Sequence, residues 1–349
     1  MIRRATVTLA LALATTAVAL LAAPDGAAFA DPAGPTDYES EIVGLDPEVA
    51  TIDVEIVGGD SFVLLDVRSG VEVTVLGYRG EPYLLFDTDG DVWENRRSPA
   101  TYENSERYGV GSLPPEADHT AEPEWRRVGS GGSWAWHDHR AHRMDPFPPV
   151  NAERGDQVLD AVVPLVVDGV EVDVRVASTW MPAPSRWPGV GGAAAGVLVL
   201  ALLRRRLALA LAVVSGAAFG VGVVQFGSLP SATKPLWLWW VAPAIAFAAA
   251  LAAVAADTRR RAVDASGGPA PLPLWAHGAT LIAAAQLLVW GVERRDGLVR
   301  AVLPTDLPFW IDRAVSAAAL SAGALGAAIV LTEIVRTWVR PPAPVRSRS

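Results

Sequence analysis

The chain has 349 residues, a formal net charge of −9, 51% apolar side chains and no cysteine. Residues 31–186 hold 30 Asp/Glu against 12 Arg, a net of −18, whereas residues 187–349 hold 7 acids against 15 bases, a net of +8. This partition excludes a soluble single-domain enzyme and sets the acidic half against a nucleic-acid partner, and the missing cysteine removes disulfides, thiolate zinc sites, iron–sulfur clusters and cysteine nucleophiles together.

Residues 1–30 read as a secretory signal. Arg3 and Arg4 precede an apolar stretch from Val7 to about Leu21, and Ala28-Phe29-Ala30 supplies the small residues a signal peptidase requires. Cleavage there starts the mature chain at Asp31; the other reading is an uncleaved first membrane helix.

Residues 31–186 form an acidic, β-rich, extracytoplasmic domain. Thr51 to Val57 alternates, with Ile52, Val54 and Ile56 on one face and Asp53 and Glu55 on the other. Val71, Val73 and Val75 repeat the pattern, as do Val170, Val172, Val174 and Val176 against Glu171, Asp173 and Arg175. Period-two alternation is the mark of a half-buried strand, and Asp168-Gly169 between two such runs predicts a hairpin turn. Short strands parted by Gly/Asp turns predict an Ig-like β-sandwich. Asp87-Thr88-Asp89-Gly90-Asp91 resembles a calcium loop only superficially: its glycine comes too early, and the position of the bidentate Glu holds Ser98. It reads as a hairpin turn between Tyr83–Phe86 and Val92–Glu94. Ser98 lacks the setting of a nucleophile elbow and falls in a Pro-containing turn. From Arg96 to Asp156 periodicity fades, yet Trp125, Trp134 and Trp136 argue against disorder. That stretch reads as an ordered, loop-rich insertion.

Residues 187–338 read as an all-α transmembrane bundle of five helices, at about 188–203, 207–226, 235–256, 274–292 and 314–335, followed by a basic tail at 339–349. Arg204–Arg206, Arg259–Arg261 and the arginines at 336, 340, 346 and 348 mark alternate ends. With the acidic domain outside the cell membrane, all three clusters are cytoplasmic, whereas Arg294, Arg295, Arg300 and Arg313 dissent. Trp187, Trp237, Trp239, Trp240, Trp290 and Trp310 fall at outer edges, and Trp275 and Trp338 at inner ones. The first span is short. Gln286 is the strongly polar side chain deep within a span, with His277, Glu333 and Gln225 near span ends. Gly192-x-x-x-Gly196 and Gly216-x-x-x-Gly220 let helices approach closely. A packed helical anchor fits this pattern better than an ion path.

Chemistry concentrates in Ser133–Pro146, S-W-A-W-H-D-H-R-A-H-R-M-D-P, which holds three of the five histidines of the chain. If the segment is extended, His137 and His139 share one face, opposite Trp134, Trp136 and Asp138. A turn near Ala141 then lets His142 and Met144 complete a site. Imidazole with thioether favours copper, or another soft transition metal, over magnesium or calcium. Asp138 or Asp145 would accept the ring N–H groups and fix the tautomers. In the competing reading, Asp138, Arg140 and the histidines form an internal hydrogen-bonded network with Trp134 and Trp136 in the core. A hydrolytic His-x-His centre is a third reading, without a nucleophile motif elsewhere.

W-A-W-H-D-H-R-A-H-R-M, together with Glu81-Pro82-Tyr83-Leu84 and Asn95–Tyr102, resembles segments of a group of uncharacterised exported multi-pass membrane proteins of high-G+C Gram-positive bacteria. The resemblance implies the same signal, ectodomain and membrane layout. By architecture alone the chain is also loosely similar to copper-resistance carrier domains on bacterial membrane anchors. Those use a histidine at the mature N-terminus, where this chain has Asp31, so a copper role rests on residues 137–144. The expected function is a membrane-anchored binding protein that coordinates copper or another soft metal through His137, His139, His142 and Met144. The alternative is an envelope structural or partner-binding protein without a metal. Expected partners are the lipid bilayer and a metal ion or envelope protein.

Overall fold

The computed structural model describes residues 33–108, 113–145, 147–267 and 271–339. The expected signal segment and residues 340–349 of the basic tail lie outside the described residues.

Ten strands build the N-terminal part: β1 (Tyr38–Asp46), β2 (Ile52–Val57), β3 (Phe62–Val67), β4 (Val73–Leu76), β5 (Pro82–Phe86), β6 (Val92–Asn95), β7 (Trp125–Gly129), β8 (Ser133–Trp136), β9 (Gln157–Val167) and β10 (Val170–Trp180). A single helical turn, α1 (Ala100–Glu103), follows β6. The strands pair antiparallel in two sheets, one ordered β1-β10-β9-β4-β5-β6-β7 and one ordered β2-β3-β8. The sheets close as a β-sandwich over a core that includes Leu65, Val73, Leu84, Phe86, Leu165 and Val174.

The predicted hairpins are present. Asp168 and Gly169 both take positive φ, 47° and 80°, and Val167 faces Val170 across the turn. Asp87 organises the β5–β6 turn: its carboxylate accepts from the backbone N–H of Asp89 and Asp91 and from Trp93 Nε1. Ser98 is fully buried; its hydroxyl donates to Glu81 and accepts from the N–H of Ala100, so it shapes the turn that starts α1.

The loop-rich insertion is more regular than its sequence suggests. It contributes β7 to the edge of the large sheet and β8 to the small one. β3, which carries no alternation, is buried on both faces. Val63 and Leu65 enter the sandwich core, while Phe62 and Leu64 pack with Ala33, Ala135 and Leu229. A strand covered on both sides needs a continuous apolar run, as F-V-L-L supplies.

Leu229 belongs to the helical part, so the small sheet lies between the large sheet and the helices. Those are α2 (Trp187–Leu202), α3 (Leu207–Gly227), α4 (Leu238–Ala265), α5 (Leu274–Glu293) and α6 (Phe309–Val339). Four of them, α3 to α6, are long and apolar enough to cross a membrane, which makes this a membrane-embedded protein. α2, at 16 residues, reaches only about 24 Å. Trp187, Trp237, Trp275 and Trp310 are exposed, as an aromatic belt requires. Trp290 is not: it is buried and donates from Nε1 to the Trp239 carbonyl at 2.8 Å.

The two glycine motifs part company. A Cβ on Gly192 or Gly196 would collide with the Ala314 or Ala318 carbonyl of α6, so this pair seats α2 on α6 within one chain. Gly220 faces open space, and the close approach on α3 comes instead at Gly222, against the Trp239 carbonyl.

Backbone and charge also join the two parts. Thr36 exchanges two backbone hydrogen bonds with Val302. Asp37 accepts from Arg300 at 2.9 Å, from Arg154 at 3.2 Å and from the N–H of Ala301. Burial works against the Asp37 carboxylate, but these donors outweigh it and hold its pKa below the usual range.

Candidate metal centre

β8 ends at Trp136, so the strict alternation expected through His139 stops there. The chain turns because Asp138 turns it. Its carboxylate accepts from the backbone N–H of Arg140 at 3.0 Å, and its carbonyl accepts from the N–H of Ala141 at 2.9 Å. Asp138 is fully buried and further held by Trp136 Nε1 at 3.0 Å and by two guanidinium nitrogens of Arg140 at 2.8 Å. Burial raises its pKa, but the Arg140 charge outweighs burial and keeps it ionised. Arg140 also donates to the Leu76 carbonyl and lies 4.7 Å over the Tyr78 ring.

This turn folds His142 back onto His137. Their Nε2 atoms lie 2.9 Å apart. Other nitrogens of the cluster face backbone carbonyls. His137 Nδ1 is 2.8 Å from the Ser61 carbonyl, His142 Nδ1 is 3.1 Å from the Arg143 carbonyl, and His139 Nε2 is 2.8 Å from the Glu106 carbonyl. A carbonyl only accepts, so these contacts suit a hydrogen on the facing nitrogen. With that set of tautomers His137 Nε2, His142 Nε2 and His139 Nδ1 are lone pairs, whereas an Nε2–H on either His137 or His142 makes their 2.9 Å contact an N–H···N hydrogen bond.

The facing pair stays neutral. Burial, foremost, pushes the His137 pKa down to about 4 and that of His142 to about 2, and the nearby Arg107 charge lowers both further. Arg107 itself is paired with the buried Asp60 at 2.5 Å, which offsets its charge at the site. A contact at 2.9 Å is satisfied by one N–H shared between the two nitrogens or by a metal ion bound to both. Nitrogens about 2.05 Å from one metal ion stand about 2.9 Å apart at a right-angle bite. Ring nitrogens of all three histidines fall within 4.8 Å of one another. A shared ion holds such a set at about 4 Å or less.

The structure thus brings His137, His139 and His142 together. Met144 lies two residues past His142 and is half-buried. Asp138 and Asp145 do not take the ring N–H groups, which go to backbone carbonyls instead. Asp145 is exposed and accepts from Arg143 and from the N–H of Phe147. Arg140 supports the turn rather than an imidazole. Carbonyls give no sequence signal, which is why Ser61 and Glu106 escaped notice. Tyr108, edge-on to His142 at 5.9 Å between ring centres, and Arg107 lie in the aperiodic insertion.

The centre adjoins the seam with the helices. Phe62, edge-on to His137, packs against Leu229, and Asp60 accepts from the hydroxyl of Thr36, the residue bridged to Val302. Three imidazoles form a borderline donor set suited to copper(II), zinc or nickel. Compared with known proteins, the chain matches no family model, no curated protein and no solved structure, so its chemistry is read from these side chains alone.

Proposed function

We propose that this membrane protein binds a transition-metal ion, copper foremost, through His137, His139 and His142, with Met144 as a further thioether ligand. The observation that carries the reading is the convergence of the three histidines, with ring nitrogens within 4.8 Å of one another and the Nε2 atoms of His137 and His142 2.9 Å apart. The strongly acidic β domain supports it by concentrating cations around the site. In this reading the β domain faces the outside of the cell membrane, the C-terminus is cytoplasmic, and the protein delivers, buffers or senses the metal at the outer surface. The arginine clusters at alternate helix ends support that orientation.

A second reading has an observation of its own. His137 and His139 tie the backbone at Ser61 and Glu106 to one loop, and His142 meets His137, so the rings staple the domain for a structural or partner-binding role without a metal. One titration separates the two. Full-length protein in detergent is titrated with Cu(II), Zn(II) and Cu(I) against chelators of known affinity. Submicromolar binding that is lost in a folded His137→Ala/His139→Ala variant supports the metal. Absence of binding by the wild type, with unfolding of the same variant, supports the staple and ends the metal reading. Met144→Leu weakens Cu(I) but not Zn(II) if the thioether is a ligand.

A further inference from the structure

The helices also border an open cavity at the end remote from the β domain, independent of the histidine centre. It has a volume of about 250 Å³ and is walled by four arginines, Arg204, Arg205, Arg206 and Arg260, against two carboxylates, Asp257 and Glu333. Asp257 is already spent, since it accepts from Arg260 at 2.9 Å and from Arg261 at 2.8 Å. The side chains of Arg204, Arg205 and Arg206 make no hydrogen bond or ion pair among the described residues and are exposed. Glu333 remains as the one carboxylate set against them.

Backbone polarity has the same sign. α3 is 21 residues long and begins at Leu207, which lines the cavity together with Ala208, and no side chain caps it. The N–H groups of Leu209 and Ala210 go to the Arg206 carbonyl, which leaves those of Leu207 and Ala208, and the positive end of the helix dipole, at the cavity without a capping side chain. His277 lines the same space, and its buried Nδ1 has no hydrogen-bond partner among the described residues. Leu272 and Val330 complete an amphipathic wall.

We propose that this cavity binds a phosphate-bearing anion, with arginines 204–206 and the α3 N-terminus on the phosphate oxygens and His277 within the same pocket. Arginine suits phosphate through its planar fork of donors, and uncapped helix N-termini hold anions by themselves. Basic pockets between membrane helices take lipid headgroups in this way. The apolar wall beside the charges favours an anionic lipid over a free phosphate.

The test uses full-length protein in detergent, with phosphatidylglycerol, phosphatidylcholine of the same acyl chains and inorganic phosphate as probes. Native mass spectrometry counts retained lipid, and thermal melting reports stabilisation. We expect phosphatidylglycerol to be retained and to stabilise the protein, and phosphatidylcholine to do neither. Arg204→Gln/Arg206→Gln should weaken phosphatidylglycerol by about thirtyfold, while Arg295→Gln, at the opposite end, leaves it unchanged. Equal stabilisation by inorganic phosphate, lost in the same variant, assigns the cavity to free phosphate and upholds the phosphate site. Equal retention of both lipids with no effect of inorganic phosphate overturns it, as does unaltered binding in the folded double variant. If that variant does not fold, Arg205→Gln alone carries the test, with an expected weakening of about fivefold.

Discussion

The two ends of the helical part both carry arginines, yet they use them in opposite ways. Next to the β domain every buried arginine is consumed. Arg294 pairs with Asp312 and Gln225 and donates to Ser316, with only 10% of its side chain exposed. Arg313 donates to the carbonyls of Gly297, Arg300 and Ala301, and Arg300 binds Asp37 of the β domain. At the remote end, Arg204 to Arg206 are exposed around a cavity. Arg294 and Arg313 are thus buried structural ties, whereas Arg300 and Arg295 stay half-exposed or exposed, at 50% and 63% of the side chain.

The largest expected effect tests that contrast directly. Arg294→Ala leaves Asp312 buried without its partner and should cost about 3–5 kcal/mol, read as a collapse of the melting temperature in detergent. Arg204→Ala should stay within about 0.5 kcal/mol. Equal effects at the two ends would remove the distinction.

Packing gives the next. Gly192→Leu drives a side chain into the Ala314 carbonyl and should cost at least about 2 kcal/mol. Gly220→Ala, which meets open space, should be neutral or slightly stabilising through better helix propensity. A neutral Gly192→Leu would mean that α2 does not pack on α6 as described.

Acidification sharpens the comparison at the β-domain end alone. His137 and His142 are held at about 4 and about 2 in the folded chain, against an ordinary 6.5. Below about pH 6.5 the unfolded chain therefore binds more protons than the folded one. The stability tied to the neutral pair is complete above that value and drains away as the pH falls towards 4. With a chelator present, the wild-type melting temperature should fall with acid more steeply than that of His137→Asn/His142→Gln. Parallel curves would show that the imidazoles are not buried as a neutral pair.

The smallest effect belongs to the tie across the seam. Arg300 is half-exposed, so Arg300→Gln should cost no more than about 1 kcal/mol. Hydrogen exchange at Thr36 and Val302 should rise while the sandwich core stays protected.

Much of the fold is legible along the chain. β2, β4 and β10 alternate in plain view because one face of each meets water, and Asp168-Gly169 declares its turn because both residues must take positive φ. β3 hides because helices cover its second face, which no local period reports. β1 hides for the opposite reason: it is an edge strand of nine residues with Ser40 as its single buried side chain. The histidine cluster was visible as a composition anomaly, but its assembly was not. His142 reaches His137 because Asp138 bends the chain, and the Ser61 and Glu106 carbonyls that face His137 and His139 come from 76 and 33 residues away.

What the residues settle by themselves is the division of the molecule, since long apolar runs must leave water and a surplus of carboxylates must stay in it. Local periodicity and turn chemistry settle most strands for the same reason: they depend on neighbours a few positions apart. Which arginines become ties and which line an open cavity, which glycine pair carries a helix contact, and which imidazoles meet are decided only when distant segments meet. Burial and partner choice are properties of the packed chain, and they convert identical side chains into different chemistry.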